Sequence, residues 1–254
     1  MRYLLLFFLY FLTLPIAKGK QVKILVIGNS ICEYNDMLGL FQNIALLNGK
    51  EVKIKATFEG GASIAENICK NLIPGCRIIN YKVESPYWFK ENKQFSFFID
   101  IFKKYDYVLF QGRSASDSHF LEISKSIANS ISKKPTIFIF QNYSSILWND
   151  SLRRVSLEKD KAVFQTICNS NKRIKLFRVG DLFDFAQICF PETMLLRSNN
   201  HPEPTGSLLI GVYLYDSIFN EFPAINIKKN HKKQIYATDE LERCINIVNE
   251  FKNE

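Results

Sequence analysis

Val22-Lys23-Ile24-Leu25-Val26-Ile27-Gly28-Asn29-Ser30 is an apolar, β-branched run that stops at a glycine and two polar residues. Beyond Lys23 it does not alternate between polar and apolar, so it reads as a strand covered on both faces, as in a parallel sheet. The period then changes. Leu38, Phe41, Ile44, Ala45 and Leu46 fall at helical spacing, and Asn48-Gly49 ends that helix.

Working outward, Glu51 to Phe58 reads as a second strand closed by Gly60-Gly61, and Ala62 to Leu72 as a helix ended by Pro74-Gly75. Tyr107 to Phe110 and Thr136 to Phe140 are further buried strands, with helical patterns over Phe120–Ile131 and Leu157–Ile167. Ile174 to Val179 is a fifth strand. A helix over Leu208–Phe219 is entered through Pro204-Thr205-Gly206, and a charged helix spans about Thr238–Phe251. Strands alternating with helices imply βαβ units, hence an α/β fold with a mostly parallel sheet. Ligands bind such sheets at the carboxyl ends of the strands. Residues 20–254 read as a single domain, with 74–104, aromatic and poorly periodic, as an insertion or a cap over the site.

The 254 residues are 47% hydrophobic and 14% aromatic, which excludes a disordered chain. Arg2 precedes an apolar run from Tyr3 to Leu12 that continues to Ala17 and stops at Lys18. That is short of the ~20 apolar residues a bilayer span needs, and it has the layout of a signal peptide over residues 1–19. The expectation is an exported chain, periplasmic or secreted, without an integral membrane span once the leader is removed. The net charge of +8 is spread along the chain, and no nucleic-acid motif accompanies it. Cys32, Cys69, Cys76, Cys168, Cys189 and Cys244 show no metal-ligand spacing, so neither metal nor cofactor is expected. Cys69 and Cys76, across an Ile-Pro-Gly turn, are the easiest pair to join. The alternative is that most of the six are small buried apolar residues.

Four polar turns carry candidate chemistry. Gly28-Asn29-Ser30 places a hydroxyl where a buried strand ends, either as a nucleophile near helix N–H groups or as a helix N-cap. Glu59-Gly60-Gly61-Ala62-Ser63 lets bare backbone approach a ligand, or is a plain turn. Phe110-Gln111-Gly112-Arg113-Ser114 sets an amide at a strand tip, to donate to an oxyanion or to tie down the loop. Ser198-Asn199-Asn200-His201-Pro202-Glu203-Pro204-Thr205-Gly206 holds an imidazole between two prolines. The other two histidines, His119 and His231, read as surface residues.

In this order, G-N-S, G-G, Q-G-R-S and H-P-x-P-x-G resemble the SGNH/GDSL hydrolase superfamily. The string Ile27-Gly28-Asn29-Ser30-Ile31-Cys32-Glu33-Tyr34-Asn35-Asp36 is similar to one in an uncharacterised bacterial branch. The resemblance runs from about Lys23 to Tyr215. It implies a three-layer α/β/α fold around a five-stranded, flavodoxin-like parallel sheet. It also implies an esterase with Ser30 as nucleophile, His201 as base, and an oxyanion hole of Ser30, Gly61 and Gln111. The family places an Asp three residues before its histidine to orient the imidazole, and here that position is Ser198.

Three outcomes stay open from the sequence. The pair works as a dyad with Ser198, Asn199 or a backbone carbonyl as orienter; another acid such as Asp181, Asp184 or Glu203 takes the role; or catalysis is lost and the protein binds glycan or envelope ligands. The first two describe an exported esterase or deacylase acting on an acylated carbohydrate or other small ester. A flavodoxin-like nucleotide or flavin binder would share the architecture but needs a phosphate-cradling first loop, which Gly28-Asn29-Ser30-Ile31-Cys32 does not supply. Asn142-Tyr143-Ser144 and Asn149-Asp150-Ser151 match the N-glycosylation pattern.

Overall fold

Five short apolar runs form β1 (Val22–Gly28), β2 (Val52–Phe58), β3 (Tyr107–Phe110), β4 (Thr136–Phe140) and β5 (Ile174–Phe177). The structure, a computed structural model, describes residues 20–61, 67–68, 100–112, 129, 134–144, 150–169, 171–225 and 235–254. Every strand pairs in parallel with its neighbours, in the order β2-β1-β3-β4-β5. This is the flavodoxin-like α/β sheet that the resemblance implies, with its topological switch between β1 and β3.

The strand sequences lack alternation because neither face meets water. Ile24, Val26, Leu109, Phe138 and Phe140 pack into one layer. Leu25, Ile27, Val108, Phe110, Ile137 and Ile139 alternate with them, point the other way, and are fully buried too. The edge strand β2 is the exception. Its Lys53 and Lys55 are exposed, a charge pattern that discourages pairing with another chain.

The described helices are α1 (Ser30–Glu33), α2 (Met37–Leu47), α3 (Asp150–Cys168), α4 (Val179–Cys189), α5 (Pro204–Phe219) and α6 (Thr238–Asn253), with a 3₁₀ turn at Tyr34–Asp36. Helix α5 is buried on nearly all sides and packs against α2 and α6. A Cβ on its Gly211 would meet the Phe41 backbone nitrogen at 3.4 Å, an ordinary contact distance, so α2 and α5 pack closely there without requiring a glycine.

The strand expected to run to Val179 ends instead at Phe177, and Val179 opens α4. Its cap comes from afar. Gly180 N–H donates to the Gln141 carbonyl at 2.9 Å, and Asp181 N–H to Gln141 Oε1 at 3.1 Å. A Cβ at Gly180 would lie 2.5 Å from the Asn142 carbonyl oxygen, so the glycine is there for packing. Helix α3 begins seven residues before the expected Leu157, at Asp150.

Among the described residues no helix is long and apolar enough to cross a membrane. Cys32, Cys168, Cys189 and Cys244 are free thiols. Burial pushes the Cys244 thiol up to about 12, so it behaves as a small apolar residue. The leader 1–19, most of 74–104, Ser63, Cys69, Cys76, Arg113, Ser114, His119, Asn149 and His231 lie outside the described residues. So do the expected helices 62–72 and 120–131, apart from residues 67, 68 and 129.

Asp106, just before β3, fastens the start of the sheet. Its Oδ2 accepts from Lys23 N–H at 3.0 Å, and its Oδ1 from Lys134 Nζ at 3.1 Å. Burial alone would raise its carboxyl, but the Lys23 N–H and the Lys134 charge outweigh that and hold it below its ordinary value. A lowered folded-state value stabilises the fold fully above the ordinary range, about pH 4, and that contribution is lost as pH falls through the folded value. Urea unfolding of Asp106→Asn should therefore show a loss of about 1–2 kcal/mol at pH 7 that shrinks at acid pH, once the folded-state carboxyl takes up its proton. An equal loss at neutral and acid pH would contradict the assignment.

Candidate active site

The turn after β1 is built on a glycine with little room for a side chain. A Cβ at Gly28 would sit 3.2 Å from Cys32 Cβ and 3.3 Å from Gln111 Oε1. The next residue, Asn29, is the helix cap: it is extended, and its side chain accepts from Ile31 N–H at 3.1 Å. Ser30 is therefore not the cap but the first residue of α1, and its own N–H has no intrahelical acceptor. It is half-buried, at the carboxyl end of β1.

The second component arrives through a tight loop between α4 and α5. Leu196 and Pro202 form an antiparallel bridge, Arg197 N–H donates to the His201 carbonyl at 2.8 Å, and Asn200 N–H to the Arg197 carbonyl at 2.9 Å. Asn200 turns the chain with φ 61°, a left-handed conformation that Asn tolerates, and its carbonyl accepts from Tyr143 Oη at 2.9 Å. Burial pushes the Tyr143 phenol far above its ordinary value, so it stays a neutral donor. The stem is pinned where α5 starts. A Cβ on Gly206 would fall 2.3 Å from the Leu195 carbonyl oxygen. Pro204 opens α5 at its first position, where a missing N–H costs nothing.

The loop delivers His201 to the turn after β1, with its Nε2 3.1 Å from Ser30 Oγ. Its ring stacks on Tyr34, with centroids 4.3 Å apart and planes 27° apart. Asn35 locks the two segments together, donating from Nδ2 to the Pro202 carbonyl at 2.7 Å and to Ser207 Oγ at 3.0 Å. Ser207 in turn donates to the Tyr34 carbonyl at 3.3 Å. Neither Tyr34 nor Asn35 stood out as functional from the sequence. The signal was the Tyr34-Asn35-Asp36 string within the motif, which bears no recognisable chemistry of its own.

The imidazole has no orienting partner of the expected kind. Its Nδ1 is buried, with no hydrogen-bond partner among the described residues. Ser198 is exposed and makes no bond to it. Asn199 instead uses its side chain to accept from His201 N–H at 3.2 Å. The three acids are engaged elsewhere. Asp181 accepts from Gln141 at 2.9 Å and from Arg178 at 2.7 Å, Asp184 lies 3.8 Å from Arg153, and Glu203 lies 3.4 Å from Arg197.

Gln111 is buried at the tip of β3, and all of its amide is in use. Its Oε1 accepts from Asn29 N–H at 2.8 Å, and its Nε2 donates to the Gly112 carbonyl at 3.0 Å and to Asn142 Oδ1 at 3.2 Å. In this arrangement it ties the β1, β3 and β4 turns together. Asn142 completes the tie by donating to the Gly112 carbonyl at 2.7 Å, which leaves this glycosylation sequon engaged inside the fold. Glu59 N–H continues the sheet ladder to the Gly28 carbonyl at 3.3 Å. The Gly60-Gly61 turn therefore leaves from the same edge as Ser30, with Gly61 at φ 61°. Among the described residues no group of His, Cys, Asp and Glu is arranged to hold a metal.

No protein-family model matches the chain, and no curated protein matches it either. Solved structures do. A DUF4886 family protein from Bacteroides uniformis is 15% identical with a TM-score of 0.54, covering 92% of this chain and 97% of its own. The psychrotrophic esterase EstA from Pseudoalteromonas sp. is 11% identical with a TM-score of 0.45, covering 78% and 97%. A catalytic mutant of Axe2, an acetylxylan esterase from Geobacillus stearothermophilus, is 13% identical with a TM-score of 0.47, covering 82% and 95%. At these identities the likeness to the Bacteroides protein shows a shared fold.

The Gly206 contact gives a sharp test of the loop stem. Gly206→Ala forces a methyl against a backbone oxygen that cannot swing away. Its urea midpoint should report a loss of about 1–3 kcal/mol, the usual cost of overpacking. Unchanged stability would mean that the loop and α5 do not meet this closely.

Proposed function

We propose that this protein is an exported serine esterase or deacylase that acts on an acylated carbohydrate or another small ester through an acyl-enzyme on Ser30. The observation that carries the reading is the 3.1 Å contact between His201 Nε2 and Ser30 Oγ at the carboxyl edge of the sheet. Nucleophile and base within hydrogen-bond reach is the geometry that activates a serine.

In this reading His201 Nε2 takes the Ser30 proton as Oγ attacks the ester carbonyl. The tetrahedral oxyanion meets the unpaired N–H of Ser30 at the start of α1, with the Gly61 N–H as second donor. Gln111 contributes through Asn29, whose backbone it holds beside Ser30. The protonated His201 then gives its proton to the departing alcohol, and the carbonyl double bond re-forms as the acyl-enzyme. Water attacks that ester with His201 again as base, releasing the acid and restoring the Ser30 hydroxyl. The leader-like first residues support export, and the motif resemblance supports an acyl group on a sugar.

A second reading is favoured by one observation, the buried Nδ1 of His201 with no hydrogen-bond partner among the described residues. It describes a catalytically impaired protein of this fold that binds glycan or cell-envelope ligands.

Incubation with a fluorophosphonate probe followed by peptide mass spectrometry separates the two. The esterase reading predicts one adduct per chain, on Ser30. It also predicts that Ser30→Ala abolishes the adduct and lowers p-nitrophenyl acetate turnover at least about 10³-fold. No adduct on Ser30 in folded wild-type protein would sink it and leave the binding reading.

A further inference from the structure

For His201 to accept a proton at Nε2, its ring hydrogen must sit on Nδ1. That N–H is buried without an acceptor among the described residues, which is unfavourable because its hydration is lost and not replaced. Among the described residues the bond to Ser30 is the ring's one hydrogen bond, and by itself it does not fix how the ring is rotated. Backbone ties hold the loop, through Asn35 on the Pro202 carbonyl and Tyr143 on the Asn200 carbonyl, but they do not set the imidazole's torsion. What touches the ring plane is Tyr34, four residues beyond the nucleophile, stacked at 4.3 Å and 27°. Tyr34 is itself held from two sides. Its carbonyl accepts from Ser207, and the Arg197 guanidinium lies over its ring at 5.3 Å.

We propose that Tyr34 is the positioning residue of this centre: its ring sets the plane of His201 and keeps Nε2 on Ser30, the task that a carboxylate on Nδ1 performs in a full triad. The inference rests on the reading of Ser30 and His201 as nucleophile and base. A stacked aromatic contact is favourable beyond its burial, and an aromatic face also favours the cation formed when the imidazole takes the serine proton. Unlike a carboxylate, the ring fixes orientation without fixing the tautomer. This arrangement explains how position 198 can carry serine and face solvent.

The test compares wild type with Tyr34→Leu and Tyr34→Phe in the whole protein. It reads the rate of fluorophosphonate labelling at Ser30, kcat and KM for p-nitrophenyl acetate, and a crystal structure of each variant. Tyr34→Leu should slow labelling and lower kcat about 100-fold, the cost of a misplacement near 1 Å, with KM within about twofold. Its imidazole should leave Ser30 in the crystal. Tyr34→Phe restores the ring and should recover the rate to within about threefold of wild type, which a role for the hydroxyl would not allow. Should Tyr34→Leu not fold, Tyr34→Met carries the same expectation. The proposal is overturned if the ringless variant keeps its labelling rate or leaves His201 on Ser30, or if Tyr34→Phe loses as much as Tyr34→Leu. A wild type that never labels removes the nucleophile reading, while the variant structures still decide whether Tyr34 holds the ring.

Discussion

The side-chain amide of Asn35 joins the two halves of the site. Its two donated bonds, to the Pro202 carbonyl and the Ser207 hydroxyl, connect segments 167 and 172 residues apart. Asn35 makes them from a left-handed backbone conformation, φ 51° and ψ 26°, which asparagine tolerates better than most residues. The chain leaves α1 through an extended Tyr34 and two consecutive left-handed residues, Asn35 and Asp36, which separate the short α1 from α2. Tyr34 lies on one side of the break and Asp36 on the other, where it caps α2 through Gly39 N–H at 3.2 Å. Position 39 is a glycine because a Cβ there would overlap that carboxylate. This left-handed pair thus sets the turn that carries Ser30, the start of α2 and the seat of the His201 loop.

Behind this joint stands a rigid frame. Helix α5 is held by α2 and α6, so the loop that opens it cannot drift far from β1. Along the carboxyl edge of the sheet a row of buried amides stitches the strand ends together: Gln111 to Asn29 and Asn142, and Gln141 to Asp181. Buried amides with their donors used make such an edge stiff, and a satisfied network of this kind specifies one arrangement. A cleft of about 340 Å³ also lies among α3, α4 and α6. Its charges are largely paired with one another, Arg178 with Asp181 and Lys161 with Glu158, and neither Ser30 nor His201 lines it.

The parts of the fold legible in the sequence were those set by local pattern. Thr136–Phe140 and Tyr107–Phe110 are strands over the residues expected, because continuous apolar runs bounded by polar residues leave little choice. Helix α4 was missed for the opposite reason. Its start, Val179-Gly180-Asp181, carries no capping side chain, and its N–H groups are satisfied by Gln141, 40 residues away. At the site, Ser30 and His201 were legible as chemistry-bearing residues in constrained turns. The roles of Tyr34 and Asn35 were not, since a stacking ring and a left-handed asparagine acquire meaning only when distant segments meet. Gln111 shows the limit from the other side: a strand-tip amide was visible, but which groups use its donors depends on Gly112 and Asn142.

The proposed pairing of Ser30 and His201 as one nucleophilic unit, held without a carboxylate, is open to a direct test. The most direct measurement is a crystal structure of the protein after reaction with a fluorophosphonate. Phosphorus should be bonded to Ser30 Oγ, with the imidazole still stacked on Tyr34 and Nε2 facing the adduct. Unmodified Ser30, or a His201 swung onto a carboxylate at its Nδ1, would contradict it.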